Sequence, residues 1–133
     1  MYIIICLDDN NGLAFNHRRQ SQDRIVAEDI RKTVGEKKLW ITDYSRKLFQ
    51  AVSNLEISEN PKEKAKEGEY VFQELETLDT GDERIEQFII YRWNRVYPAD
   101  VSVEIGAEWK LTETEEVSGF SPVKITKEQY CRE

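Results

Sequence analysis

The chain has 133 residues, of which 39% are hydrophobic and 34% charged, enough for one hydrophobic core and too few for two ordinary domains. A single domain over residues 1–133 is expected. Nineteen basic against 26 acidic residues give a net charge of −7, which disfavours general nucleic-acid binding, and no run of about 18 apolar residues exists to span a membrane. Tyr2–Leu7 is too short for a signal peptide, no basic residue precedes it, and Cys6 and Cys131 have no paired spacing; a reducing cytoplasm is the expected setting.

Tyr2–Leu7 is β-branched and continuously apolar, the pattern of a central strand covered on both faces, with Cys6 as a buried small hydrophobe. Asp8-Asp9-Asn10-Asn11-Gly12 is a concentrated turn signal, after which Leu13-Ala14-Phe15 is apolar again. A basic loop follows: residues 17–24 hold three arginines and one acid. Val26, Ile30 and Val34 recur at helical spacing, which predicts a helix over 22–34 capped by Ser21 and closed by Gly35. Lys38–Thr42 reads as a strand, and Thr42 or Asp43 as the cap of a short helix with Tyr44, Leu48 and Phe49.

Val52–Ser58 alternates as a third strand, Pro61 opens a charged helical turn that Gly68 ends, and Tyr70-Val71-Phe72 is a further strand. Residues 59–86 carry ten acids and four bases, most of the acidic excess. Asp79–Asp82 is a loop, Gln87–Val96 the longest β-rich run, and Val101–Ile105 alternates. Trp109–Val117 and Val123–Tyr130 form an expected antiparallel pair around Gly119-Phe120-Ser121-Pro122. This order predicts an α/β fold: one mixed sheet with flanking helices and antiparallel C-terminal strands.

The opening strand, its Asp-Asp-Asn-Asn-Gly turn and Leu13-Ala14-Phe15-Asn16 resemble the start of dihydrofolate reductase. Leu39–Phe49 resembles that family's second strand and following helix, Phe88-Ile89-Ile90-Tyr91 through Asp100 its late strand and loop, and Trp109–Val117 its closing strands. The resemblance implies a shortened dihydrofolate reductase-like fold. It also implies an NADPH pyrophosphate cradle, which the family builds from a Gly-Gly pair after a late strand. At the matching place this chain reads Tyr70-Val71-Phe72-Gln73-Glu74-Leu75-Glu76, so two carboxylates stand where backbone must approach phosphate. Ser45 matches a phosphate-contacting hydroxyl, and Asp23 lies near the place of the substrate-binding acid. With the cradle replaced, no cofactor is expected.

Phe15–Asp23 and Tyr91–Asp100 also resemble short bacterial proteins labelled ribonuclease Z. That label implies a two-zinc hydrolase, which needs several convergent imidazoles and carboxylates, and the chain has one histidine, His17. No metal site is expected.

The remaining candidates are charged. Arg18 and Arg19 suit a phosphate or carboxylate through bidentate hydrogen bonds, or else pair with the chain's own acids. Arg92, Asn94 and Arg95 interrupt an apolar strand, so that one face opens on a cleft, or else Tyr91 and Trp93 face inward and the charges outward. The expected anion site is Arg18, Arg19, Arg92 and Arg95, with Asp23, Tyr91 and Asn94 as polar companions. His17 is a general base or a surface residue; Asp8 and Asp9 bind a cation or form the turn. Three functions remain: a non-catalytic reductase-like domain binding an anionic ligand or a protein partner, a nuclease, and a divergent NADPH-dependent reductase.

Overall fold

The computed structural model describes residues 1–118 and 124–132; the expected Gly119–Pro122 turn lies outside them. Strand β1 (Tyr2–Leu7) is central, as its unbroken apolar run requires, with β6 (Tyr70–Gln73) and β7 (Gln87–Arg92) parallel on its two sides. The seven-stranded sheet runs β5-β4-β6-β1-β7-β10-β9, where β4 is Leu39–Ile41, β5 Leu55–Ile57, β9 Trp109–Ser118 and β10 Lys124–Arg132. Strand β10 lies antiparallel to both β7 and β9, which makes the expected closing pair. The α/β mixed sheet with antiparallel C-terminal strands is the architecture the sequence predicts.

Side-chain alternation splits the core in two. Ile4, Phe72, Ile89, Tyr91 and Trp93 face helix α1 (Arg24–Val34) and pack with its Val26, Ile30 and Val34. Ile3, Ile5, Leu7, Val71, Phe88 and Ile90 face the other way, against Leu13, Ala14, Val103 and Trp109. Both faces of the central strands β1 and β7 carry apolar side chains, Ile3, Ile4, Ile5, Phe88, Ile89 and Ile90 among them, so each face needs a cover.

Several boundaries differ from expectation. Helix α1 is capped by Asp23, whose carboxylate accepts the Ile25 N–H, and not by Ser21. Asp43–Phe49 is a 3-10 helix entered from Thr42, with no side-chain cap bond at that residue. Pro61–Lys64 forms only a single turn, α2. Strand β7 stops at Arg92; Asn94 turns to φ 59°, so it and Arg95 lie in the loop beyond the strand. The basic loop is itself structured. Strand β2 (Gly12–Phe15) and the two-residue β3 (Arg18–Arg19) form a hairpin, and β8 (Val101–Ser102) joins β2 to make a small second sheet. Its turn residues Asn16 and His17 both have positive φ, 52° and 61°, which matches the right-handed strand twist of a two-residue hairpin.

Candidate functional site

The carboxyl ends of the parallel strands are where open α/β sheets bind ligands. Here polar contacts from the chain itself tie the loops at that end to one another. The turn after β1 is organised by Asp8, whose carboxylate is 1% exposed. One oxygen accepts the N–H groups of Asn10 at 2.8 Å and Gly12 at 2.7 Å. The other accepts Gln20 Nε2 at 2.9 Å and the Tyr97 N–H at 3.1 Å. Burial alone would raise this carboxyl's pKa; the N–H groups of Gly12, Tyr97 and Asn10 and the Gln20 amide outweigh it and hold the pKa below the usual value. Asp8 therefore ties the β1 turn, the end of the hairpin and the 95–100 loop together, which is the turn-forming role among the two considered.

Gly12 is needed at this crossing. A Cβ there would lie 2.7 Å from Asp8 Oδ2 and 2.8 Å from both Ala99 Cβ and Gln20 Nε2. The opposite side of the opening is held by Arg19. Its Nε donates to Glu74 Oε2 at 2.8 Å and its Nη2 to Glu74 Oε1 at 3.1 Å, a bidentate pair. The guanidinium sits 4.3 Å from the centroid of the Tyr44 ring, and Ser45 Oγ donates to Glu74 Oε1 at 2.6 Å. Glu74 is 7% exposed at its side chain and Ser45 is fully buried. Burial works against the Arg19 charge; the Glu74 carboxylate outweighs it and raises the Arg19 pKa.

These contacts sit at the end of β6, where the resemblance to dihydrofolate reductase implies a phosphate cradle. Leu75 takes φ 72°, a conformation that glycine adopts freely and leucine rarely. The turn after β6 thus takes a glycine-like backbone, while the side chains around it are those of two glutamates and a leucine. A pyrophosphate would meet the Glu74 carboxylate and displace Arg19 and Ser45 from it. The residues present do not fit the NADPH of dihydrofolate reductases. Beneath the pair lies a cleft of about 20 Å³, lined by Cys6, Asp23, Val26, Ile30, Leu48, Phe49, Phe72 and Trp93 among others. Ligand pockets usually hold roughly 300–1,000 Å³. Burial and the Glu74 charge push the Cys6 thiol up, away from its nucleophilic form.

The structure brings two of the expected anion-site residues together, Arg92 and Asn94, which line one cavity of about 350 Å³ with Asp9, Asn11, Thr126 and Glu128; the others lie elsewhere. Arg19 pairs with Glu74 as described. Arg92 projects from the opposite face of the sheet, sharing it with Leu7, and pairs with Glu128 Oε1 at 2.8 Å; it also donates to the Asp8 carbonyl and to Asn11 Oδ1. Tyr91 is fully buried against α1, where its hydroxyl donates to Asp29 Oδ2 at 2.6 Å and Lys127 Nζ lies 2.9 Å from the same oxygen. Asn94 Nδ2 donates to the Lys124 carbonyl and Thr126 Oγ1. Asp23 caps α1 at the cleft wall. Arg18 and Arg95 are exposed at the carboxyl end, as is His17 at the hairpin tip. Among the described residues, no three His, Cys, Asp or Glu side chains converge on a metal-binding position.

What the sequence reading missed is the Arg19–Glu74 pair. Each residue stands out in the sequence for its own reason, Arg19 as an anion binder and Glu74 as an obstacle to phosphate, but 55 positions separate them and no local pattern links them. Also missed were Asp8 as a four-bond acceptor and the Asp29–Lys127–Tyr91 network.

No protein-family model and no curated protein matches the chain. Among solved structures it is similar to dihydrofolate reductase from Enterococcus faecalis complexed with NADP(H) and RAB-propyl, with a TM-score of 0.64 and 10% sequence identity over 98% of this chain and 95% of that one. At that identity the likeness concerns the backbone and leaves the site chemistry to this chain's own residues. The protein has a dihydrofolate reductase-like fold.

Proposed function

We propose that this chain is a non-catalytic binding domain of the cytoplasm, built on a reductase-like fold whose cofactor cradle is closed, and that it docks a protein partner presenting an anionic group. The observation that carries this reading is Glu74, held by Arg19 and Ser45 at the end of β6. Reduction with a nicotinamide cofactor needs that place open to phosphate, and here a carboxylate fills it.

A partner protein suits the carboxyl end better than a free small ligand. The cleft of about 20 Å³ has room for about one water molecule, and in the cavity of about 350 Å³ at Arg92 the guanidinium is already paired with Glu128, whereas Phe15, Tyr44, Ile57 and Val96 are 49%, 42%, 38% and 61% exposed at this same end. Arg18 and Arg95 lie exposed beside them and are the arginines suited to meet an anionic group. No helix among the described residues is long and apolar enough to cross a membrane, and Cys6 and Cys131 are free thiols.

A thermal-shift titration tests the reading with two probes, a short peptide of alternating Glu and Phe and inorganic pyrophosphate. A ligand that binds only the folded state raises the midpoint with concentration. The peptide is expected to stabilise the wild type, and the Arg18→Ala, Arg95→Ala double variant to lose that response while keeping its own midpoint. Equal stabilisation of the double variant overturns the assignment. Stabilisation by pyrophosphate alone favours the second reading, a free anionic ligand.

A further inference from the structure

We infer that the outer edge of β9 (Trp109–Ser118) is the surface through which two copies of this chain associate, their β9 strands pairing antiparallel about a two-fold axis between Thr112 and Glu113. Strand β9 ends the seven-stranded sheet, and no described strand pairs with its outer edge. It is ten residues long and has no Pro or Gly, and residues 110–116 are all exposed, with Leu111 at 49%. An edge of that length presents a row of N–H and C=O groups to a further strand.

A bulge decides which strand fits. Thr112 has no partner in β10: Glu113 stands opposite Gln129 and Leu111 opposite Tyr130. The extra residue reverses the side-chain alternation, so Trp109 and Val117, which a regular strand would turn to one face, pack into opposite cores. Lys110 thereby comes into phase with Glu115. They stand opposite Cys131 and Lys127 and share the face on which Ile125 and Lys127 meet α1. The same holds for Leu111 and Thr114, opposite Tyr130 and Glu128, and for Trp109 and Glu116, opposite Arg132 and Thr126. Two-fold pairing about the bulge therefore sets Lys110 against Glu115 and Leu111 against Thr114, twice each, with side-chain face and hydrogen-bond direction matched. Charged side chains ordinarily discourage edge pairing, but here opposite signs meet. An axis on Glu113, Glu115 or Glu116 would oppose identical acids, and one on Thr114 would oppose Glu113 and Glu115. This self-complementarity is the argument for a second copy over an unrelated strand.

Sedimentation equilibrium over a concentration series tests this on the wild type, Lys110→Glu and Glu115→Lys, with circular dichroism confirming the fold of each. A reversible dimer is expected for the wild type. Each single variant opposes like charges at both pairs and should weaken association about tenfold or more. An equimolar mixture of the two variants should restore it, because every pair across the axis then joins an acid to a base; lost folding or a distant effect would not be mended by mixing. A wild type that stays monomeric at millimolar concentration overturns the inference and leaves the edge to a strand from another protein. A dimer that neither variant weakens, or that mixing fails to restore, overturns it equally, for the copies then meet elsewhere. Should either variant fail to fold, mixed Leu111→Cys and Thr114→Cys chains, each also carrying Cys131→Ser, decide. Oxidation is expected to join unlike chains, since directly opposed residues lie within disulfide reach, and no cross-link overturns the pairing. The proposed function does not rest on this edge, because Arg18 and Arg95 lie outside β9.

Discussion

Replacing Asp8 by asparagine is expected to be among the most damaging single-atom changes in the chain. Each carboxylate oxygen accepts two N–H donors: Asn10 and Gly12 on one, Gln20 and Tyr97 on the other. An amide has one oxygen, so whichever way the substituted side chain turns, its NH2 faces two donors and leaves them unpaired in a site that is 1% exposed. Leaving a buried group unsatisfied costs roughly 1–3 kcal/mol, and hydrogen bonds to a charged acceptor lie at the upper end, so the loss is about 2–5 kcal/mol. Urea unfolding at pH 7 would read this as a lower midpoint with an unchanged slope. The pH dependence has a definite sign. The Asp8 pKa is held down in the folded state, so its stabilisation is fully present above the unfolded value of about 3.9 and is lost as pH falls through the folded pKa. Wild-type stability should therefore fall more steeply below about pH 4 than that of Asp8→Asn. A variant within about 0.5 kcal/mol of wild type at pH 7, the range of ordinary surface substitutions, would refute the hub assigned to this carboxylate.

Other substitutions separate the elements of the account. Gly12→Ala places a methyl within 2.8 Å of three heavy atoms and should cost about 1–3 kcal/mol in urea unfolding. Tyr91→Phe removes the 2.6 Å bond to Asp29 while Lys127 still neutralises that carboxylate, so a loss of about 1–2 kcal/mol is expected, also by urea unfolding. Arg18→Ala and Arg95→Ala change exposed side chains and should each shift stability by less than about 0.5 kcal/mol by the same measure.

The fold was legible where local chemistry decides it. The unbroken, β-branched apolar run of Tyr2–Leu7 reads as a strand covered on both faces, and it is the centre of the sheet. The spacing of Val26, Ile30 and Val34 located the buried face of α1, and Gly35 ended it at φ 59°. The alternation that sends Tyr91 and Trp93 inward was equally readable, and it is what removes Tyr91 from the surface. Less legible were features that depend on partners distant in the chain. Arg18 and Arg19 read as a loop because a two-residue strand has no period to detect; the hairpin exists through its pairing with β2 and its anchor on Glu74. Asp23 and not Ser21 is the cap because the helix begins at Arg24, and both residue types suit that role, so composition alone does not choose between them. The fate of the arginines was open in the same way. A guanidinium that suits a ligand carboxylate suits Glu74 or Glu128 equally well, and sequence carries no signal for which one arrives.

The central claim, that Glu74 and its partners close the cofactor cradle, is tested most directly by titrating the wild-type protein with NADPH while following tryptophan fluorescence. Trp93 lines the cleft beneath Glu74 and would report an occupant. No saturable quenching is expected up to millimolar NADPH. Saturable quenching at micromolar concentrations would contradict the account, for it would mean that pyrophosphate and the Glu74 carboxylate share a place where the geometry leaves room for one.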